Sequence, residues 1–155
     1  MCGMRRIVIS DTSCLIAIEK TAGLELLRRL YTEVTVPDQV AEEYGKPLLE
    51  WIRKTPIASE MTYRFFKETL GSGEAAAISL ALEYEKDCLV LVDDMKARKT
   101  AEMFGISITG VLGVFIRAKK CGVIEEVRPM IGKLREIGFY FNQRMERKIL
   151  DMAGE

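Results

Sequence analysis

The chain has 155 residues, of which 48% are hydrophobic, and its 23 basic side chains are balanced by 23 acidic ones. A chain of this length and hydrophobicity can bury one full core, so we expect a single domain over residues 1–155. The balanced charge predicts no general attraction to polyanions. The absence of histidine excludes Ser-His-Asp and Cys-His catalysis, together with histidine-containing metal sites.

Runs rich in β-branched residues predict strands, and apolar residues spaced three to four apart predict helices. The expected elements are, in chain order, strand 7–10, helices 13–20 and 24–31, strand 34–36, helix 37–44, helical segments around Trp51 and over 60–69, helix 73–85, strand 89–92, helix 95–104, strand 106–109 and helix 111–120. Residues 125–155 form a C-terminal extension that predicts two amphipathic helices around an extended stretch at 138–141. Strands that alternate with helices indicate an α/β domain with a parallel sheet covered on both faces.

The sequence favours a cytoplasmic protein that does not enter a membrane. The two N-terminal arginines are followed by too few apolar residues for a signal peptide, because Asp11 interrupts the run at 7–10. No apolar stretch approaches the roughly 20 residues that a membrane helix needs. The four cysteines are widely spaced without a Cys-x-x-Cys pair, so buried thiols are the simplest interpretation.

Carboxylates stand at the ends of two predicted strands. Asp11 follows the first strand directly, and Asp93 and Asp94 follow the strand at 89–92. Ligands of open parallel sheets bind at the carboxyl ends of strands, so these three carboxylates are candidates for one site. The alternative for Asp11 is a helix N-cap ahead of Thr12 and Ser13, and the alternative for the Asp93–Asp94 pair is an N-cap or a surface turn.

Two glutamates extend this set of candidates. In "VPDQVAEEY" the helical phase puts Val40 and Tyr44 in the buried stripe, Glu43 at its border and Glu42 on the solvent side. In "GEAAAISLALE", Glu74 shares its helix face with apolar residues, and the alternative is an acid that stabilises the helix N-terminus. Converging carboxylates without histidine favour a hard divalent cation, Mg²⁺ or Mn²⁺ rather than zinc.

These segments together resemble the PIN-domain nucleases, and in particular the VapC-like toxins of toxin–antitoxin pairs. The resemblance runs in order through "IVISDTSCLI", "VPDQVAEEY", "GEAAAISLALE" and "LVLVDDMKAR" and covers about residues 6–125. The Gly-Glu-Ala context of Glu74 and the "VDD" at 92–94 resemble a divergent PIN subgroup. The resemblance implies a three-layer α/β/α fold around a central parallel sheet.

The resemblance also implies a metal-dependent endoribonuclease that cleaves single-stranded or structured RNA, and it suggests a toxin role with an antitoxin partner. Its site residues would be the catalytic Asp11, Glu43, Glu74 and Asp94, the Mg²⁺ or Mn²⁺ ligands Asp11, Glu43, Glu74, Asp93 and Asp94, and the phosphate contacts Thr12, Ser13, Lys96 and Arg98. A solvated helix face is the alternative for Lys96 and Arg98. The amphipathic tail has no obvious partner helix in the family core, so we expect a homodimer, and the alternative is that the tail covers the sheet.

Other functions fit the residues less well. A receiver-like phospho-acceptor module needs a lysine after a late strand, and "ISITGV" at 106–111 has none. A haloacid-dehalogenase-type phosphatase needs an aspartate two residues after Asp11, where this chain has Ser13. A catalytically inactive PIN fold that serves as a binding or scaffolding module is the main alternative, and it differs in whether divalent ions bind.

Overall fold

The computed structural model describes residues 6–85 and 87–155 of the chain. Within these ranges the strands are β1 (Ile7–Ser10), β2 (Glu33–Pro37), β3 (Ile52–Thr55), β4 (Leu89–Leu91) and β5 (Ser107–Thr109). The helices are α1 (Thr12–Lys20), α2 (Glu25–Leu30), α3 (Asp38–Tyr44), α4 (Glu60–Lys67), α5 (Ser72–Glu83), α6 (Met95–Met103), α7 (Val111–Lys120), α8 (Arg128–Glu136) and α9 (Gln143–Met152).

The strands form one sheet in the order β3-β2-β1-β4-β5, and every neighbouring pair is parallel. Strand β1 is central, since Val8 pairs with Val34 of β2 on one side and with Leu89 of β4 on the other. The strand order reverses between β1 and β4, and ligands of parallel sheets bind beside such a reversal, at the carboxyl ends of the strands. The topology therefore predicts a site where β1 and β4 end.

Two apolar cores, one on each face of the sheet, produce the three-layer α/β/α fold expected for a PIN-like domain. Consecutive residues of β1 enter opposite cores: Val8 belongs to the core that contains Phe115 of α7, whereas Ile9 belongs to the core that contains Phe66 of α4 and Ile78 of α5. Both faces of a parallel sheet are buried in this way, which explains why its central strands are short continuous apolar runs. The rigid sheet fixes the loops that follow β1 and β4.

Most elements were predicted to within a few residues, but the segment after Trp51 was not. Residues Ile52–Thr55 form strand β3, paired with β2, so the expected helical segment there is wrong. This strand lies at the sheet edge with Arg53 and Lys54 exposed, and it has no apolar run of its own. Its position is determined by backbone pairing with β2 and by the hydroxyl of Thr35, which donates to the Arg53 carbonyl at 3.0 Å.

The C-terminal extension packs on the rest of the chain. Ile131 and Leu134 of α8 and Leu150 of α9 are buried in the same core as Val8 and Phe115. The two predicted helices are confirmed, and residues 139–142 between them are neither helix nor strand. Contrary to expectation, this tail has a partner within the chain, because its apolar residues cover the core on one face of the sheet. A homodimer accordingly needs other support.

The cysteines differ in whether they form a disulfide. Cys14 and Cys88 are buried free thiols, as expected. Cys121 is disulfide-bonded, so the expectation of a thiol is wrong at that residue, and Cys2 lies outside the described residues. No helix in the described part of the chain is both long enough and apolar enough to cross a membrane.

Candidate active site

The five acidic residues predicted from the sequence come from different elements and lie near one another at the carboxyl edge of the sheet. Asp11 follows β1, Asp93 and Asp94 lie between β4 and α6, Glu43 is on α3, and Glu74 is in the first turn of α5. Burial is the largest cause of the raised pKa of both Asp11 and Glu74. The negative charges of Glu74 and Asp93 add to the rise at Asp11, and those of Asp94 and Glu43 add to the rise at Glu74. The sheet edge is therefore a region of mutually repelling carboxylates.

Asp11 is buried at the centre of this region, with 2% of its surface exposed. Burial raises its pKa from 3.8 to about 7, although the Cys14 N–H, which donates to Oδ1 at 2.9 Å, opposes that rise. The Asp11 N–H donates to the Leu91 carbonyl at 3.1 Å, which ties the end of β1 to β4. Asp11 is also the N-cap of α1, which is the alternative considered from the sequence. Capping alone does not require the side chain to be buried.

Glu43 is held by a hydroxyl that follows Asp11 in the sequence. The Oγ1 atom of Thr12 donates to Glu43 Oε1 at 2.7 Å. A Cβ atom on Gly73 would lie 2.5 Å from that Oε1 and 2.8 Å from Thr12 Oγ1, so only glycine leaves room for this pair. Val40 is buried and Glu42 is exposed, as the helical phase predicts, and Glu43 is exposed beside the cluster.

Glu74 is half-buried at the start of α5. Its Oε2 accepts the Gly71 N–H at 3.0 Å, which is the helix-terminus function considered from the sequence. Burial is the main cause of its raised pKa, followed in the same direction by the charges of Asp94 and Glu43, whereas the Gly71 hydrogen bond opposes them. Glu74 therefore combines a capping function with membership of the acidic cluster.

The adjacent residues Asp93 and Asp94 have different surroundings. Asp94 is exposed and caps α6, accepting the Ala97 N–H at 3.0 Å. Asp93 is half-buried, and its Oδ2 accepts both the Cys14 thiol at 3.3 Å and the Val111 N–H at 3.1 Å. Its Oδ1 lies 3.8 Å from Arg98 Nη1. Asp93 is thus surrounded by protein donors, whereas Asp94 faces solvent.

The four candidate phosphate contacts also separate into two pairs. Thr12 is bonded to Glu43, and Arg98 Nη1 donates to the Val92 carbonyl at 3.1 Å beside Asp93. Ser13 and Lys96 are exposed. The first pair holds acidic residues in place, and the second pair is free to meet a ligand from solvent.

Small residues around these acids carry no clear signal in the sequence. Gly110 is the clearest case, since a Cβ there would lie 2.2 Å from Asp93 Oδ1 and 2.9 Å from Arg98 Nη1. Gly73 and Gly110 look like ordinary chain breaks in the sequence, and Cys14 looks like a core residue. Only the position of Cys14, three residues after a candidate N-cap, gives a signal that its N–H can bond Asp11.

The donor set suits a hard divalent cation by its chemistry. Carboxylate oxygens are the ligands that Mg²⁺ and Mn²⁺ prefer, and a bound cation would offset the burial and the like-charge repulsion that raise the pKa values of Asp11 and Glu74. Across residues 6–85 and 87–155, no group of three or more Asp, Glu or Cys side chains is already arranged to hold a metal ion. The residues therefore suit the ion in charge and ligand type, but the described side chains do not form a complete coordination shell.

A parallel five-stranded sheet between two helical layers, with acids at the β1–β4 edge, defines a PIN-like α/β/α domain. The sequence model of DUF3368, a PIN domain, matches residues 7–155. The chain therefore belongs to this PIN-domain family, and the match includes the C-terminal extension that the motif resemblance did not cover. PIN domains are in general nucleases and typically use divalent metal ions. No curated protein is significantly similar to the chain.

Proposed function

We propose that the protein is a Mg²⁺- or Mn²⁺-dependent endoribonuclease that cleaves phosphodiester bonds in single-stranded or structured RNA. The observation that carries this proposal is the burial of Asp11 among other carboxylates, which raises its pKa to about 7. A carboxylate buried beside like charges destabilises a fold unless something compensates it, and strongly perturbed acids of this kind are typical of functional sites.

Asp11, Glu43, Glu74 and Asp94 would hold the ion. When bound, a divalent cation supplies an activated water and stabilises the leaving 3′ oxygen of the cleaved phosphodiester. The protein's own groups orient the carboxylates: the Cys14 N–H holds Asp11, and the Thr12 hydroxyl holds Glu43. Orientation of this kind reduces the rearrangement that binding requires.

Ser13 and Lys96 are the proposed contacts to RNA phosphates. Both are exposed, and they follow Asp11 and Asp94 closely in the sequence. Such local contacts matter because the chain's formal net charge is +0, so attraction to RNA has to come from individual groups near the site. Thr12 and Arg98, the other two candidates, act through the acids they contact.

The finer assignment is a VapC-like toxin with an antitoxin partner. It is supported by the motif order and by membership of a PIN-domain family. A homodimer is part of the same proposal. Its support is the set of apolar side chains that the C-terminal extension leaves in solvent, Tyr140 at 91%, Met145 at 50% and Met152 at 52% exposure.

The experiment for the nuclease function is cleavage of end-labelled single-stranded RNA by the wild type and by Asp11→Asn. We expect internal cuts by the wild type with Mg²⁺ or Mn²⁺, none with EDTA, and none by the variant under any condition. Asparagine keeps the N-cap, so a helix-capping function alone predicts that the variant still cleaves. Equal cleavage by both proteins would refute the proposal.

A PIN fold that only binds or scaffolds is the second candidate. It is favoured by the lack of a ready-made metal-binding group among the described residues and by the caps that Asp11, Glu74 and Asp94 provide. The two candidates differ in whether Mg²⁺ or Mn²⁺ binds at all, which calorimetric titration of the wild type measures.

A further inference from the structure

We propose that Cys14 is a positioning residue of the acidic site, whose thiol holds Asp93 so that Asp11 and Asp94 keep their relative places. This inference rests on the proposed metal-dependent function. It assigns Cys14, Asp93 and Arg98 to the support of the metal site and not to contact with the ion. Asp93 then supports the site by its contacts with other protein groups. Asp94 is the carboxylate of this turn that faces solvent and would meet the ion.

Cys14 contacts two of the acids at once. Its N–H donates to Asp11 Oδ1 at 2.9 Å, and its Sγ donates to Asp93 Oδ2 at 3.3 Å. The residue is fully buried, and its thiol is placed as the hydrogen-bond donor to Asp93, because an ionised carboxylate can only accept.

Asp93 is restrained from several further directions. The Val111 N–H, at the start of α7, donates to the same Oδ2 at 3.1 Å. Arg98 of α6 places Nη1 3.8 Å from Oδ1, and the Cα of Gly110 lies so close that an added Cβ would be 2.2 Å away. Asp93 thus joins α1, α6 and α7 at the end of β4.

These contacts make Asp93 a poor ligand for a cation. Its Oδ2 already accepts two hydrogen bonds, and its Oδ1 faces the positive charge of Arg98. Asp94 accepts one N–H, from Ala97, and is exposed. Because the two residues are adjacent, fixing the Asp93 side chain fixes the backbone that carries Asp94. Groups that orient ligands in this way typically affect metal affinity by 10- to 100-fold.

The test is a measurement of the affinity for Mn²⁺. The electron paramagnetic resonance signal of the free ion reports how much Mn²⁺ is unbound, so the test does not depend on RNA cleavage. We expect Cys14→Ala to bind Mn²⁺ about tenfold more weakly than the wild type. Cys14→Ser keeps a donor at the same place and should restore the affinity to within about threefold, because a hydroxyl replaces the thiol as donor. Wild-type affinity in Cys14→Ala, or equal loss in both variants, would overturn the inference.

A double-mutant cycle tests whether Cys14 acts through Asp93. Once Asp93→Ala has removed the carboxylate that accepts the thiol, adding Cys14→Ala should weaken binding by no more than about twofold, since coupled neighbours are not additive. Full additivity of the two losses would mean that Cys14 does not act through Asp93 and would overturn the inference.

Gly110→Ala provides an independent variant in case Cys14→Ala does not fold, which melting in EDTA reveals. It displaces Asp93 without changing any acid or donor, so weaker Mn²⁺ binding is expected, with Gly132→Ala as control because nothing lies within 4 Å of that position. Unchanged binding by Gly110→Ala would contradict the inference. A wild type that binds no Mn²⁺ would refute the proposed function and this inference together, whereas the other contrary results refute the inference alone.

Discussion

Asp11 is the one charged side chain that the structure buries within its described ranges. It caps α1, joins β1 to β4 and lies beside Glu74 and Asp93. The cap and the like charges have opposite energetic effects: the cap stabilises the helix, whereas burial beside like charges disfavours the ionised carboxylate. The residue is therefore suited to a site that is completed by a cation.

The pH dependence of stability follows from the raised pKa of Asp11. The folded protein binds this proton more tightly than the unfolded chain, so its contribution is favourable below pH 3.8 and is lost as pH rises to about 7. Each pKa unit corresponds to about 1.4 kcal/mol, so ionised Asp11 can destabilise the metal-free protein by up to about 4 kcal/mol. Urea unfolding in EDTA should show the free energy of unfolding falling over this interval for the wild type and much less for Asp11→Asn. Parallel curves for the two proteins would argue against this assignment.

Glu43 and Glu42 form a matched pair on α3 for a test of residue function. Both side chains are exposed, but Glu43 accepts the Thr12 hydroxyl and its charge acts on Glu74. Glu43→Gln should lower metal-dependent RNA cleavage by at least about tenfold. Glu42→Gln should stay within about twofold, as for most surface substitutions. The opposite ranking in initial rates would show that the site does not use Glu43.

The acidic residues were predictable because local rules place them. Asp11 and the Asp93–Asp94 pair follow apolar strands, and the helical phase separates Glu43 from Glu42. The contact of Cys14 with Asp93 was not predictable, since the two residues are 79 positions apart and meet only because β1 and β4 are neighbours. The close approach of backbone and carboxylate at Gly73 and Gly110 likewise depends on packing between elements.

At the scale of elements, the start of α5 lies against α1 and α3 through Gly73. The space for the Thr12–Glu43 hydrogen bond exists because Gly73 has no side chain.

The edge strand β3 is the element that the sequence predicts least well. With Arg53 and Lys54 exposed, it carries no periodic apolar signal, and only pairing with β2 defines it.

Gly73→Ala tests this packing without altering any acid. The new methyl group would displace Glu43 Oε1 and Thr12 Oγ1, which lie 2.5 and 2.8 Å from its position, so we expect a marked loss of cleavage in RNA assays. Gly132→Ala in α8 is the matched control, because that helical glycine has open space around it. The control should be stabilised by up to about 1 kcal/mol, the usual gain of alanine over glycine in a helix. Full activity in Gly73→Ala would mean that the Thr12–Glu43 pair is dispensable.

At the scale of the whole molecule, the sheet is covered on both faces and the C-terminal extension belongs to one of the two cores. Apolar residues of that extension therefore divide into a buried set and an exposed set. Leu150 is buried, whereas Tyr140, Met145 and Met152 remain in solvent. Met145 and Met152 are seven residues apart on α9 and so lie on one face of that helix, and exposed apolar patches are typical of interaction sites.

A homodimer through this surface is the corresponding prediction. Sedimentation equilibrium at tens of micromolar should give twice the chain mass of 17.5 kDa. Replacing Tyr140 and Met145 by serine should shift the protein towards monomer, with Met61→Ser on α4, 83% exposed in the wild type, as the control. A wild type that sediments as a monomer at this concentration would contradict the proposed assembly.

The central claim is that the carboxylates at the β1–β4 edge form a site for a divalent cation and that they lower the stability of the metal-free protein. The most direct measurement is the melting temperature of the wild type and of Asp11→Asn, each in EDTA, in Mg²⁺ and in Mn²⁺. In EDTA the variant should melt at the same temperature as the wild type or higher, because it loses a buried repelling charge and keeps the N-cap. Either cation should raise the melting temperature of the wild type by mass action and that of the variant much less. A wild type whose melting temperature ignores both cations would contradict the claim.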